Sequence, residues 1–127
     1  MQEKLLFEYA VIRVVPRVER EEFINVGIIL YCKKTKFLDC RFDLAHQRLQ
    51  AFCPQLDCNE ISDYLYSIQK ICRGNEEAGP IGKLDVASRF RWLTATRSTV
   101  VQTSKVHPGF SNDPVSTLEQ LYQQLVL

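Results

Sequence analysis

Three segments rich in β-branched and aromatic residues follow one another near the start of the chain and constrain its fold most. They are Leu5–Val15, Phe23–Cys32 and Phe37–Phe42. The first is apolar on both faces, which is typical of a central strand, and Pro16 ends it because proline cannot donate a ladder hydrogen bond. Since the links between the segments are short and polar, the pattern predicts an antiparallel meander and not a βαβ unit. Gly27, inside the second segment, predicts a bulge or a close approach of two backbones.

The rest of the chain shows helical patterns and one further strand. The clearest helix starts at Asp57, an N-cap with an acidic residue three positions on, and ends at Gly74, a typical C-terminal glycine. The remaining expectations are a short helix that ends at Pro54, a helix over Leu84–Ala95, a strand over Thr99–Val106, a turn at His107-Pro108-Gly109 and a closing helix that begins at Asp113-Pro114.

Length and composition indicate one globular unit. The chain has 127 residues, of which 46% are hydrophobic and 24% charged, and both fractions are ordinary for a globular protein. No repeat and no domain boundary is visible. We therefore predict a single α+β domain over residues 1–127, with an antiparallel sheet of about four strands and helices packed mainly on one face.

The cysteine count and the hydropathy pattern favour a cytoplasmic location. Five cysteines, an odd number, occur without a recognisable signal peptide, so we expect free thiols in a reducing compartment. No segment approaches the roughly 20 apolar residues that a membrane span needs, and no membrane association is expected. Cys53 and Cys58 lie close in sequence, but no second pair completes a zinc site. No metal and no other cofactor is predicted.

The chain contains none of the common catalytic motifs. It has no glycine-rich phosphate loop, no GxSxG elbow, no HExxH pair and no CxxC pair. These absences exclude the readily recognised classes of nucleotide-binding and hydrolytic site. The net charge is +1, but residues 51–80 are mostly acidic and residues 81–112 mostly basic. This asymmetry indicates a polarised surface that binds an anion, or charges that only solvate opposite faces.

The most unusual stretch is the basic, hydroxyl-rich run Arg89–Gly109. Its first eleven residues hold three arginines, three threonines, one serine and the only tryptophan. Guanidinium and hydroxyl groups suit phosphate or carboxylate oxygens, which makes Arg89, Arg97, Ser98 and Thr99 candidate contact residues. The alternative is that the apolar residues of this run, Phe90, Leu93 and Trp92, belong to the core. In that case Arg89 or Arg91 pairs with the acidic helix.

Other candidates lie at the end of the first strand and after the fourth. Glu22 and Asn25 end the charged link that follows the first strand, a usual place for functional groups. Paired carboxylates there suit acid–base chemistry or a hard cation, although a solvated turn with Glu–Arg pairs is the alternative. His107 has the intrinsic pKa of a general base, but a histidine before Pro-Gly is also a common turn residue.

Three segments together resemble a known bacterial family. They are residues 9–16, YAVIRVVP, residues 22–30, EFINVGIIL, and residues 89–99, RFRWLTATRST. The chain is similar along essentially its whole length to the domain of unknown function 3037 family, which has no established activity. The positions that match the family pattern are Arg13, Glu22, Asn25, Gly27, Arg89, Trp92, Arg97 and Ser98. Members of the family are often encoded beside HipA-like kinases, which implies a kinase as partner.

Three functions are compatible with these patterns. The first is a non-catalytic bacterial accessory domain that binds a protein partner, a HipA-like kinase for example, through the Arg89–Gly109 surface. The second is a nucleotide- or nucleic-acid-binding protein that uses the same basic surface. The third is a small hydrolase or nuclease, whose side chains would have to converge from distant parts of the chain: Glu22, Asn25, Arg97 and His107. The candidate binding residues for an anion or a partner are Arg13, Glu22, Asn25, Arg89, Arg97, Ser98, Thr99 and His107.

Overall fold

The fold is an antiparallel sheet with helices on its two faces. The computed structural model describes residues 4–44, 46–97 and 99–127. Its elements are β1 (Leu5–Val14), β2 (Ile24–Cys32), β3 (Phe37–Phe42), α1 (His46–Phe52), α2 (Cys58–Arg73), α3 (Val86–Leu93), β4 (Val101–Thr103), β5 (His107–Ser111) and α4 (Pro114–Leu125), with short 3-10 segments over Val18–Arg20 and Glu76–Lys83. The α+β class and the antiparallel sheet predicted from the sequence are confirmed.

β1 is the central strand of the sheet, as its two apolar faces predict. The strand order is β3-β2-β1-β4, and β5 also pairs with β1. Along one edge of β1, β4 lies opposite Ile12–Val14 and β5 lies opposite Leu5–Tyr9. The described residues therefore form five strands, one more than the approximate number expected.

The additional strand comes from a break that the sequence prediction missed. Ser104 ends β4, because its side-chain oxygen accepts the Val11 N–H at 2.8 Å and takes the place of a backbone partner. The predicted turn at His107-Pro108-Gly109 is wrong, since these residues begin β5. Pro108 is tolerated because β5 pairs with β1 alone among the described strands. Gly109 is needed because a Cβ there would lie 2.5 Å from the Phe7 ring.

Gly27 marks a bulge and a close backbone approach, as predicted. The β1–β2 register shifts between Ile12 and Arg13, opposite Asn25 and Gly27. A Cβ on Gly27 would lie 2.8 Å from both the Arg41 carbonyl oxygen and the Phe42 Cβ. The missing side chain therefore lets β3 lie against the bulged strand.

The sheet separates two hydrophobic clusters. On one face α1, α2 and α3 cover the larger cluster, which includes Ile12, Val14, Leu49, Leu65 and Phe90. On the other face α4 covers a smaller cluster built around Ile28, Leu30, Leu118 and Tyr122. Most described helices thus lie on one face, as expected, and the last helix covers the other. Within the described ranges, no helix combines the length and the apolar character needed to cross a membrane.

The helix ends follow the capping residues. The Asp57 carboxylate accepts the N–H groups of Asn59 and Glu60 at the start of α2. Gly74 ends this helix with φ +68°, a left-handed conformation that favours glycine. Asp113 caps α4, and Pro114 occupies its first turn. These predicted boundaries are confirmed.

Candidate functional site

The Arg89 side chain forms hydrogen bonds with backbone carbonyls of the same domain. Its Nη1 donates to the carbonyl oxygens of Ile71 and Cys72, each at 2.8 Å, and its Nε donates to the Leu84 carbonyl at 3.1 Å. A cation that binds the last carbonyls of a helix also interacts favourably with the helix dipole. Arg89 therefore joins α3 to the C-terminal end of α2.

Arg97 has a similar role at the end of α3. Its guanidinium group donates to the Leu93 carbonyl at 3.0 Å and to the Trp92 carbonyl, and it stacks 4.6 Å from the centre of the Trp92 ring. Phe90 and Leu93 are buried, as the core alternative for this run predicts, whereas Trp92 keeps 40% of its surface exposed. The guanidinium groups of Arg89 and Arg97 thus bind backbone carbonyls. Ser98 lies outside the described residues.

Arg13 and Asn25 lie together on the α4 face of the sheet. They are directly opposite in the β1–β2 register, and the Arg13 guanidinium stacks 4.1 Å from the Phe23 ring centre. Asn25 Nδ2 donates to the Leu125 carbonyl at the end of α4, and Arg48 donates to the Asn25 carbonyl. Arg13 Nε and Asn25 Oδ1 are buried without a hydrogen-bond partner in the described chain. Asn25 therefore attaches the end of α4 to the sheet.

Glu22 and His107 lie at the surface and apart. Glu22 forms an exposed ion pair with Arg20 in the β1–β2 link, which is the solvated turn that the sequence left open. His107 is exposed on β5, opposite Tyr9, with the two ring centres 5.3 Å apart.

Asn25 and Arg97 do not converge on one site. Asn25 contacts α4 and Arg97 contacts α3, and these two helices lie on opposite faces of the sheet. The convergence that a hydrolase or nuclease would need is therefore not found for this pair. Thr99, in contrast, lines an open cleft beside α2.

An open cleft lies between the N-terminal half of α2, the end of β1 and the segment that leads into β4. We call it the α2–β4 cleft. Its volume is about 780 Å³, and it is lined by Pro16, Arg17, Cys53, Gln55, Leu56, Asp57, Glu60, Ile61, Tyr64, Thr99, Val100 and Val101. Tyr64 and Val100 are 37% and 40% exposed, so large apolar side chains face solvent here in a concave setting.

The cleft continues at both ends. Toward the β1–β2 link, Pro16, Arg17, Cys53 and Gln55 also line a smaller pocket of about 240 Å³ that contains Glu22 and Phe52. Toward α3, Tyr64 and Val101 also line a shallow depression beside Trp92 and Arg97. The middle of the Arg89–Gly109 run, with Trp92 and Thr99–Thr103, therefore contributes one wall of an elongated groove.

The charged groups of the cleft are few. The Asp57 carboxylate caps α2. The side chains of Arg17 and Glu60 form no hydrogen bond or ion pair within the described ranges. One cation and one anion thus remain available at the margin of an otherwise apolar surface.

The cysteines differ in accessibility. Cys53 is half-buried at the cleft, whereas the other four thiols are buried. A hydrogen bond with Cys40, together with burial, raises the pKa of the Cys72 thiol. In the described part of the chain, no group of three or more His, Cys, Asp and Glu side chains is arranged to hold a metal ion.

Sequence reasoning missed most of the cleft. Tyr64 belongs to the apolar stripe of α2 and is expected in the core, but it lies at the margin of that stripe and remains partly exposed. Its partners in the cleft, Pro16 and Val100, lie far away in sequence. The sequence signal that points to the cleft is the apolar pair Val100-Val101, which follows the polar residues at the centre of the Arg89–Gly109 run.

Comparison with known proteins identifies the family. The chain matches the family described as protein of unknown function DUF3037 over residues 9–126, and it belongs to this family. None of the curated proteins matches the chain, and neither does any solved structure.

Proposed function

We propose that this member of the DUF3037 family is a non-catalytic bacterial accessory domain that binds a partner protein through the α2–β4 cleft. We further propose that it works in the cytoplasm and that its partner is a HipA-like kinase, as the family resemblance implies. The observation that carries the proposal is the elongated apolar groove on which Tyr64, Val100 and Trp92 are each at least 37% exposed.

The chemistry of this groove supports a protein partner. Clustered exposed apolar and aromatic side chains are typical of protein-binding surfaces, whereas single exposed apolar residues are common everywhere. Tyrosine and tryptophan are the residue types that most often dominate binding energy at such surfaces. A partly exposed Tyr64 and Trp92 along one groove fit this pattern.

The second candidate function, binding of a nucleotide or nucleic acid on the basic Arg89–Gly109 surface, receives less support. The guanidinium groups of Arg89 and Arg97 already donate to helix-terminal carbonyls, so moving them to a phosphate would cost those charge-assisted hydrogen bonds. The net charge of +1 also favours a small electrostatic contribution to nucleic-acid binding. We therefore place the binding surface at the cleft and not along the whole Arg89–Gly109 run.

Co-expression tests the existence of the partner. The chain is produced together with a HipA-like kinase, the proposed partner, and the mixture is separated by size exclusion at about 10 µM, a concentration above the dissociation constants of most specific complexes. The proposal predicts one co-eluting peak. Separate elution of the two proteins contradicts the kinase as partner.

Alkylation of Cys53 tests the location. This thiol lines the cleft and is the accessible one among the five, so a bound partner should slow its reaction with iodoacetamide. The proposal predicts strong protection in the complex. An unchanged Cys53 rate in a complex that does form places the interface elsewhere.

A further inference from the structure

We infer that the partner binds as an extended strand, which adds to the outer edge of β4 and places its side chains in the α2–β4 cleft. This inference rests on the proposed function and specifies its chemistry. The occupant is a segment of a partner protein in β conformation, with large apolar side chains at alternate positions. The alternative, a partner helix in the groove, would contact the same side chains but would form no hydrogen bonds with the backbone of β4.

The hydrogen bonds of β4 identify which backbone groups face outward. Val15 N–H donates to the Val100 carbonyl at 2.6 Å, and Ser104 N–H donates to the Val11 carbonyl at 2.8 Å. In an antiparallel pair, alternate residues exchange both hydrogen bonds with the neighbouring strand. Val100, Gln102 and Ser104 therefore face β1, and the N–H and C=O groups of Val101 and Thr103 point to the opposite side.

That opposite side is an open edge. β4 pairs with β1 alone among the described strands, and no backbone partner is found in the described chain for the N–H groups of Val101 and Thr103. Unpaired strand edges are templates for another strand, and addition of a peptide strand is a common recognition mode. The edge lies beside the cleft because Val101 lines it.

Thr99 protects part of this edge in the free protein. Its hydroxyl group donates to the outward Val101 carbonyl at 2.7 Å. A carbonyl oxygen has two lone pairs, so an arriving N–H can bind there without first breaking this bond. The candidate residue Thr99 thus occupies the position where a bound strand would begin.

The side chains beside the edge indicate what the strand carries. Successive side chains of a strand point to opposite faces, so every second residue of an added strand would face α2. Those residues would meet Ile61 and Tyr64, which favour large apolar side chains. The available charges of Arg17 and Glu60 favour one acidic and one basic residue beside the apolar ones, because oppositely charged groups at a binding surface select partners.

A library of random twelve-residue peptides displayed on phage provides the probe. Selection on the full chain should enrich sequences with apolar residues at alternate positions, and one enriched peptide is then synthesised. Its amide groups are replaced one at a time by N-methyl amides, and affinity is measured by fluorescence anisotropy. Strand addition predicts losses of at least tenfold at two positions that lie two residues apart, whose N–H groups would bind the outward edge of β4, and changes below threefold at the position between them.

A matched pair of protein variants tests the same edge from the other side. Thr103→Pro removes an outward N–H, and Thr103→Val keeps it with nearly the same side-chain shape. The inference predicts at least a tenfold loss for Thr103→Pro and less than a threefold change for Thr103→Val. Thermal unfolding checks that both variants fold. If Thr103→Pro does not fold, the affinities of the N-methyl peptides for the wild-type chain test strand addition instead.

The outcomes separate this inference from the proposed function. Strand addition is wrong if the peptide protects Cys53 but its affinity does not depend on which amide is N-methylated. It is also wrong if the bound peptide is helical by circular dichroism. In both cases partner binding at the cleft stands. Failure of every selected peptide to bind below about 100 µM, well above the range of specific peptide complexes, also overturns strand addition. A dimer of the chain that Thr103→Pro dissociates assigns the edge to a second copy and overturns the inference.

Discussion

Replacement of Arg89 by methionine tests whether this arginine has a structural role. The change keeps an unbranched apolar side chain and removes the donors to the Ile71, Cys72 and Leu84 carbonyls. Hydrogen bonds from a charged group contribute roughly 1.5–3 kcal/mol each when they are shielded from water. Two of the three are partly buried, so after a discount for solvent screening we expect a loss of about 2–4 kcal/mol in the free energy of unfolding.

Arg91→Met is the matched control on the same helix. Arg91 is exposed, and surface substitutions of this kind change stability by about 0.5 kcal/mol or less. Urea unfolding followed by circular dichroism, with linear extrapolation, measures both variants. For a domain of this size the Arg89 variant should also melt about 10 °C lower. Equal stability of the two variants would refute the capping role and would return Arg89 to the candidate binding residues.

Three further predictions concern the fold and its thiols. Gly27→Ala should destabilise the domain by about 1–3 kcal/mol in urea unfolding, the usual cost of overpacking, because the new Cβ would meet the Arg41 carbonyl at 2.8 Å; wild-type stability would contradict the close approach. Hydrogen bonds from Ser88 lower the pKa of Asp85, so the stability that Asp85 contributes is present above about pH 3.9, its unfolded pKa, and is lost as the pH falls through the lower folded value. The stability difference between wild type and Asp85→Ala should therefore shrink on acidification, and a constant difference would contradict the capping carboxylate. In the native protein Cys53 should react with iodoacetamide well before the buried thiols, and Cys53→Ser should remove the fast phase seen by mass spectrometry; a fast phase that survives would contradict the burial pattern.

The local patterns of the sequence predict much of the fold. Alternating β-branched residues predict β1 to β3, and the capping residues Asp57, Gly74 and Asp113 predict the ends of α2 and α4. These signals are reliable because each acts through its immediate neighbours. The same reasoning does not predict β5, since Pro-Gly usually forms a turn. Here it belongs to a strand because it pairs with the N-terminal half of β1.

The candidate site is less accessible to sequence reasoning. The arginines of the Arg89–Gly109 run are conspicuous, but the guanidinium groups of Arg89 and Arg97 bind backbone carbonyls at helix ends, which no local pattern reveals. The cleft joins Pro16, Tyr64 and Val100, which are brought together only by the packing of α2 against the sheet. Its walls therefore follow from tertiary structure and not from any motif.

The central claim is that the α2–β4 cleft binds the partner protein, and two tyrosines of α2 test it most directly. Tyr64 lies in the cleft at 37% exposure, whereas Tyr66 is 46% exposed and packs edge-on against Phe42 outside it. Removal of a central interface aromatic commonly costs about 2 kcal/mol or more, which corresponds to roughly thirtyfold in affinity. Titration calorimetry with the co-eluting kinase should show a loss of this size for Tyr64→Ala and less than a threefold change for Tyr66→Ala. Equal affinities of the two variants, or a larger loss for Tyr66→Ala, would contradict the assignment of the cleft.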